Sequence, residues 1–189
     1  MQNETINYKN FYYPPGGILL WIIIFIEIFT FGMAIVAMAG SSLDEPQLFH
    51  ESRLHLNAVF GSINTVFLLT SGFFVAKAVH YFKESDFVKT SFQLKIAMLF
   101  GLFFIILKSF EYYTKIESGF LLDSNTFFTF YWLLTGFHLI HVFVGLIILL
   151  IINKNIATTK LEDLEASTAF WHMCDLIWLV LFPVLYLIF

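Results

Sequence analysis

Several side chains that can carry a proton or bind a metal lie inside long apolar segments of this sequence. They are Glu27 in the first segment, His138 and His141 in the fourth, and His172 and Asp175 in the fifth. Ionisable residues are costly in the hydrocarbon core of a bilayer and are usually functional there. Three kinds of chemistry suit them: proton transfer, ligation of a metal or haem, and hydrogen bonding that fixes how helices pack.

Glu27, His138 and His141 form the deepest group. At about 1.5 Å of rise per residue, Glu27 lies roughly 15 Å into its segment and the histidines lie roughly 18 to 23 Å into theirs. The spacing of three places both histidines on one helix face, so they can share a site with Glu27. Helix-register hydrogen bonds, a proton-linked or lipid-linked role, and metal or haem ligation all stay open. A haem between helices needs axial histidines at matching depth, and His172 lies only about one turn into its segment.

A second group of polar residues lies near predicted helix ends. It comprises Glu111, Glu165, Trp171, His172 and Asp175. His172 and Asp175 share a helix face, and they are interpreted either as an ion pair at the membrane interface or as a group for docking or local proton supply. Trp171 suits the headgroup level, where tryptophan is enriched. Glu111, followed by two tyrosines, is typical of an aromatic belt with a carboxylate at a helix end.

The composition identifies the class of protein. The chain has 189 residues, of which 59% are hydrophobic and 13% charged, with 25 phenylalanines. These values lie far outside the range of soluble proteins, so we expect an integral membrane protein. The net charge of −4 is small and scattered, which argues against nucleic acid as a partner. The single cysteine, Cys174, excludes an internal disulfide and any copper or iron–sulfur site that needs two thiolates of this chain.

Five apolar segments are long enough to cross a bilayer, which takes about 20 residues. Their approximate ranges are 17–39, 56–79, 92–110, 126–152 and 168–189. They predict an all-α membrane protein in which residues 1–189 form one transmembrane domain, a bundle of five helices. The first segment is entered through Pro14, Pro15 and Gly16, which cannot extend a helix backward. Pro183 is expected to bend the last turns of the fifth helix.

Lysine and arginine positions predict the orientation. The third segment has a short apolar core, so Lys95 and Lys108 at its ends are expected to extend outward into water. Five spans place the termini on opposite sides. The side of the amino terminus holds Lys9, Lys77, Lys83, Lys89, Lys95, Lys154 and Lys160, and the other side holds Arg53, Lys108 and Lys115. Because cytoplasmic loops are enriched in these residues, the amino terminus is predicted to be cytoplasmic and the carboxyl terminus outside.

Four motifs follow one another along the chain. Glu27 lies in 26–29, Glu111 in 110–113, both histidines of the fourth segment in 135–145, and the last motif joins 164–165 to 170–178. In this order they resemble subunit III of the haem-copper oxidases, and the resemblance covers essentially the whole chain. The residues that it marks are Glu27, Glu111, His138, His141, Gly145, Glu165, Trp171, His172 and Asp175.

The resemblance implies a non-catalytic accessory subunit of a haem-copper terminal oxidase, in aerobic respiratory electron transport. It implies a chain without a redox centre of its own, with haem and copper in partner subunits I and II and with structural phospholipid between helices. The implied role is support of proton uptake and of the stability of the catalytic subunit, in the inner (plasma) membrane of a bacterium. Longer members have seven helices, and this chain is similar to the five-helix bacterial form, which lacks one arm of a lipid-filled cleft.

Other functions stay open at this point. A five-helix branch of the same family is associated with nitric oxide reductases, and segments 170–172 and 180–186 are similar to it, so an accessory subunit in denitrification is the first alternative. A small membrane bundle that binds haem itself through His138 or His141 is an alternative of another class. A carrier with Glu27 as its proton site fits less well, since the sequence shows no paired interrupted helices.

Overall fold

The computed structural model describes residues 17–189, in which five helices are long and apolar enough to cross a membrane. The helices are α1 (Gly17–Asp44), α2 (Pro46–Leu54), α3 (Ala58–Lys83), α4 (Phe87–Glu117), α5 (Thr126–Lys154) and α6 (Leu161–Pro183), and α6 continues as a π-helical turn (Val184–Ile188). The long helices are α1, α3, α4, α5 and α6, which confirms the predicted all-α membrane fold. The entry through Pro14, Pro15 and Gly16 lies outside the described residues. The orientation in the membrane stays a prediction.

The long helices extend beyond the predicted spans because polar residues, as well as apolar length, decide where they begin. Asn57, Asp86 and Asn125 cap α3, α4 and α5, and each accepts a backbone N–H of the first turn at 2.9–3.0 Å. The Lys89 ammonium lies 2.8 Å from Asp86, and this contact, with the backbone N–H of Lys89, holds the pKa of Asp86 below its usual value. With 31 residues, α4 is about 46 Å long and projects beyond an apolar layer of about 30 Å.

The short helix α2 lies between the first two predicted spans, where no helix was predicted. It begins at Pro46, a residue favoured in the first turn of a helix. Phe49 is fully buried and packs edge-on against Phe127 and Phe189, with ring centroids 5.6 and 5.3 Å away. The helix therefore covers one end of the bundle, which we call the α2 end.

The central helix is α6. Half of the residues in its most apolar stretch are buried inside the bundle, whereas 11% are buried in the corresponding stretch of α1. It contacts α1, α3 and α5, whereas α1 lies at the periphery. The most extensive pair is α3 with α4, two antiparallel helices joined through Ser85, whose φ of 62° lies in the left-handed region. Between them the Ser71 hydroxyl donates to the Ala97 carbonyl at 2.7 Å.

Trp171 is the wedge at the centre of the bundle. A methyl group on Gly101 of α4 or on Gly145 of α5 would lie 2.8 Å from its ring, so these glycines let three helices approach closely. The Trp171 ring is fully buried among these helices, so it does not face the headgroups. Its level along the membrane normal stays a prediction.

Pro183 ends the regular part of α6 without ending the helical path. A proline has no N–H to donate, and its ring crowds the preceding turn. The residues after Pro183 therefore form a wider π-helical turn. The guanidinium of Arg53 donates to the backbone carbonyl of Tyr186 at 3.4 Å. A bend was predicted at Pro183, and the structure shows a change of helix type there. The Tyr186 ring, which lies in the π-helical turn, is buried inside the bundle.

Candidate functional site

A cluster of four polar side chains is buried near the α2 end. We call Lys108, Glu111, Tyr131 and Tyr186 the Lys108 cluster; each of them is at most 2% exposed. The Lys108 ammonium donates to Glu111 Oε2 at 3.1 Å, to the Tyr131 hydroxyl at 3.1 Å and to the Tyr186 hydroxyl at 2.7 Å. The two hydroxyls in turn donate to Glu111 Oε1 at 3.0 and 2.7 Å. The network is closed on itself.

The hydrogen bonds of the cluster are compatible with a buried ion pair. An ammonium has three N–H donors and a carboxylate only acceptors, and here all three donors and both carboxylate oxygens are used. Charged Lys108 and charged Glu111 with two neutral tyrosines satisfy the geometry. The rings of Tyr131 and Trp178 lie 4.7 and 5.5 Å from the ammonium, so their faces also stabilise the cation.

Two expectations about this region are wrong. Lys108 was predicted to extend into water, yet it is 1% exposed. Glu111 was predicted to lie at a helix end in an aromatic belt, yet it is equally buried, because α4 continues to Glu117 and carries both residues inside the bundle. The spacing of three between Lys108 and Glu111 is the feature of the sequence that could have predicted their contact. Tyr186 could not be assigned to it, since it lies 78 residues after Lys108.

Glu27 and His141 meet between α1 and α5. The Nε2 atom of His141 lies 3.3 Å from Glu27 Oε2, and its Nδ1 lies 2.8 Å from the carbonyl of Phe137. With Nδ1–H donating to that carbonyl, Nε2 is the nitrogen that faces the carboxyl group. The contact is a close approach rather than a formed hydrogen bond, since Glu27 Oε2 has no hydrogen-bond partner among the described residues. The side chains are 19% and 12% exposed, so the pair lies at the edge of the bundle.

His138, one turn from His141 on α5, faces the interior instead. It is fully buried, and neither ring nitrogen has a hydrogen-bond partner. Its ring stacks on Trp178 at 5.4 Å and meets the edges or faces of Phe104 and Phe31 at 5.8 and 6.4 Å. The structure therefore brings only one of the two histidines to Glu27, and aromatic rings enclose the other.

His172 and Asp175 lie together on α6. His172 Nδ1 is 3.1 Å from Asp175 Oδ2, and Asp175 is 8% exposed while His172 is 44% exposed. The residues lie about 17 to 21 Å from the start of α6. The two interpretations of the pair, as an ion pair at the membrane interface or as a group for docking or local proton supply, stay predictions. Glu165 lies nearer the helix start and pairs with Lys83 of α3 at 2.8 Å.

Metal ligands do not converge in the described part of the chain. Within residues 17–189, no group of three or more His, Cys, Asp or Glu side chains lies close enough to hold an ion. Apart from His138, the ionisable residues that the sequence marked fall into four separate places: Glu111 with Lys108, Glu27 with His141, Asp175 with His172, and Glu165 with Lys83. This arrangement can hold protons and fix helices, and three of the four pairs are partly exposed.

Comparison with known proteins identifies related sequences. The profile of the family described as "Cytochrome c oxidase subunit III" matches residues 16–188. The cytochrome c oxidase subunit 3 of Drosophila yakuba is 33% identical over 129 residues, which are 66% of this chain and 48% of that protein. The protein of the same name from Spodoptera frugiperda is 30% identical over 66% of this chain and 86% of its own length. That of Corynebacterium diphtheriae is 24% identical over 73% and 70%.

The matches differ in how much of each protein they cover. The chain spans about half the length of the Drosophila relatives that it matches. The family match, in contrast, runs through all five long helices and contains Glu27, the Lys108 cluster and the His172–Asp175 pair. On this match the chain belongs to the cytochrome c oxidase subunit III family.

Proposed function

We propose that this chain is the accessory subunit III of a haem-copper terminal oxidase and has no redox centre of its own. The observation that carries the proposal is the family match over residues 16–188, which contains every helix of the bundle. In this role the haem and copper belong to the catalytic subunits I and II, which are the proposed partners. The location we propose is the inner (plasma) membrane of a bacterium.

The site geometry supports a role in holding structure and protons. The buried acids are paired with bases in closed contacts, and His138 is enclosed by rings that fill the space around it. A haem held by His138 would have to displace these rings, so the alternative of a haem-binding bundle is less well supported. Support of proton uptake and of the durability of the catalytic subunit is the role we propose.

Structural phospholipid fits an apolar groove between α1 and α5. The groove has a volume of about 250 Å³ and is lined by Phe31, Ala34, Leu133 and Phe137, among others. An acyl chain suits such a lining because the walls offer almost no polar atoms. We propose that a lipid tail occupies this groove in the assembled complex.

The test is purification of the tagged chain from native membranes in a mild detergent. We expect subunits I and II of an oxidase in the eluate by mass spectrometry, with the visible spectrum of their haems. Recovery of nitric oxide reductase subunits would move the function to denitrification. A haem spectrum from the chain alone, without other subunits, would overturn the proposal.

Glu27→Gln is expected to leave assembly intact. The amide has nearly the shape of the carboxyl group and can donate to the Nε2 atom of His141, so the packing of α1 changes little. The readout is the yield of complex and its rate of inactivation during turnover. Normal yield with faster inactivation would indicate a proton-linked role. Loss of the complex would contradict this prediction and assign Glu27 a structural role. The control is Met33→Leu, at an exposed position of the same helix.

A further inference from the structure

A groove between α3 and α6 runs beside the His172–Asp175 pair on the outside of the bundle. Its floor holds Gly72 and Ala76, its polar wall is the pair itself, and its volume is about 350 Å³. The rim is apolar and uncovered, since Phe73 is 59% exposed and Leu176 is 49% exposed. We call this feature the α3–α6 groove.

The polar wall presents an imidazole held from behind by a carboxylate. The contact between His172 Nδ1 and Asp175 Oδ2, 3.1 Å long, places the Nδ1 proton toward the acid. This leaves Nε2 as the nitrogen that can meet a ligand. Asp175 itself is more than nine-tenths buried, and its Oδ1 atom has no hydrogen-bond partner. The pair therefore has unused acceptor capacity on a helix that lies inside the membrane.

The groove offers the pair no further partner. Within residues 17–189, His172 and Asp175 make their ion-pair contact with each other. The cation one turn along α3, Lys77, holds its ammonium 5.4 Å above the ring of Phe73. Lipid tails offer no hydrogen-bond donor, and a polar pair that faces them is costly. A donor from outside the chain would complement the Nε2 atom of His172.

The floor of the groove is shaped for a close neighbour. A methyl group on Gly72 would collide with the Asp175 carboxylate, so glycine is what allows the acid to lie against α3. Ala76, four residues later on the same face, is exposed. Small residues four apart are typical of surfaces where two membrane helices approach closely. An apolar rim around such a floor fits an apolar helix better than a water-soluble partner.

We propose that the α3–α6 groove docks a transmembrane helix of the catalytic oxidase subunit, and that this helix brings a hydrogen-bond donor to the Nε2 atom of His172. The proposal deepens the proposed function and rests on it. The groove supplies shape through Gly72 and Ala76, and the His172–Asp175 pair supplies the polar contact that fixes the register of the docked helix.

Photo-crosslinking in the assembled complex tests the location. A photoreactive phenylalanine derivative replaces Leu176 on the rim or Ile147 on α5, which is similarly exposed at 44%. We expect Leu176 to give a crosslink to the catalytic subunit and Ile147 to give none. A crosslink to subunit I from Ile147 alone would overturn the docking face while leaving the accessory role intact. Crosslinks to lipid only at Leu176 would also overturn it.

Substitutions test the chemistry. Ala76→Phe fills the floor and is expected to reduce the amount of subunit I that co-purifies at least tenfold, whereas Ala37→Phe at an exposed position of α1 should leave it unchanged. His172→Phe should reduce the retained fraction roughly threefold to tenfold in a detergent wash, the range expected for one interhelical hydrogen bond. His172→Gln should retain more than His172→Phe. Equal retention in all four variants would refute the proposal.

The outcomes also separate this proposal from the accessory role. If no oxidase subunit co-purifies with the unsubstituted chain, the proposed function fails and the docking proposal fails with it. If oxidase subunits co-purify and crosslink only through other faces, only the docking proposal fails.

Discussion

Lys108→Met is expected to destabilise the folded chain by about 3–5 kcal/mol, the range for removing one partner of a buried ion pair. The substitution leaves Glu111 without its cation and leaves the Tyr131 and Tyr186 hydroxyls without a donor, in a cluster where no member is more than 2% exposed. The shape of the side chain is nearly kept, so the loss comes from electrostatics and hydrogen bonding. Thermal unfolding of the detergent-solubilised protein measures the effect.

Two further variants separate this effect from the loss of a positive charge. Lys95→Met removes a lysine from the same helix at an exposed position and is expected to change stability by less than about 0.5 kcal/mol. Lys108→Met combined with Glu111→Gln removes both charges while the amide oxygen still accepts from the two hydroxyls, and should recover more than half of the loss. A single variant as stable as the unsubstituted chain would mean that the cluster does not exist as described.

Gly145→Ala is expected to destabilise the bundle by about 1–3 kcal/mol, the range for overpacking a core. The added methyl would lie 2.8 Å from the Trp171 ring, which is already held on its other side by Gly101. α5 must then move away from α6 or the ring must leave its position. The same thermal unfolding measurement applies, with tryptophan fluorescence as a report on the position of the ring.

Gly136→Ala is the matched control, since it makes the same change on the same helix with nothing within 4 Å of the new methyl. Alanine is the better helix former by about 0.8–1.0 kcal/mol, so this variant should be slightly more stable than the unsubstituted chain. Trp171→Phe combined with Gly145→Ala should recover part of the loss because the second ring of the indole is gone. If the two glycine variants behave alike, Trp171 is not the wedge between α5 and α6.

The sequence was sufficient to predict the helices that cross the membrane. Apolar length and caps are local properties, and the five predicted spans correspond to α1, α3, α4, α5 and α6. The short helix α2 escaped because it is not apolar as a whole and depends on Phe49 reaching residues far along the chain. The start of α6 at Leu161 was also missed, because its first turn is acidic rather than apolar.

The site was predictable only where its partners lie close in sequence. His172 with Asp175 and the face shared by His138 and His141 follow from a spacing of three. Which of the two histidines contacts Glu27 does not follow from the spacing, because it depends on how α5 is rotated toward α1 and α6. Lys108 shows the limit most clearly: a lysine at the end of an apolar segment normally extends into water, and only the positions of Tyr131 and Tyr186 from other helices reverse this.

The order in which the ribosome makes the chain gives the Lys108 cluster a consequence for biogenesis. Lys108 and Glu111 lie on one helix and can neutralise each other as soon as α4 enters the membrane, whereas Tyr186 is synthesised 78 residues after Lys108. The cluster therefore closes only when α6 and its π-helical turn have been inserted. Nascent chains that stop short of this point hold Lys108 and Glu111 without the Tyr186 hydroxyl, so α4 keeps an incompletely satisfied polar face until the last turns of the chain are in place.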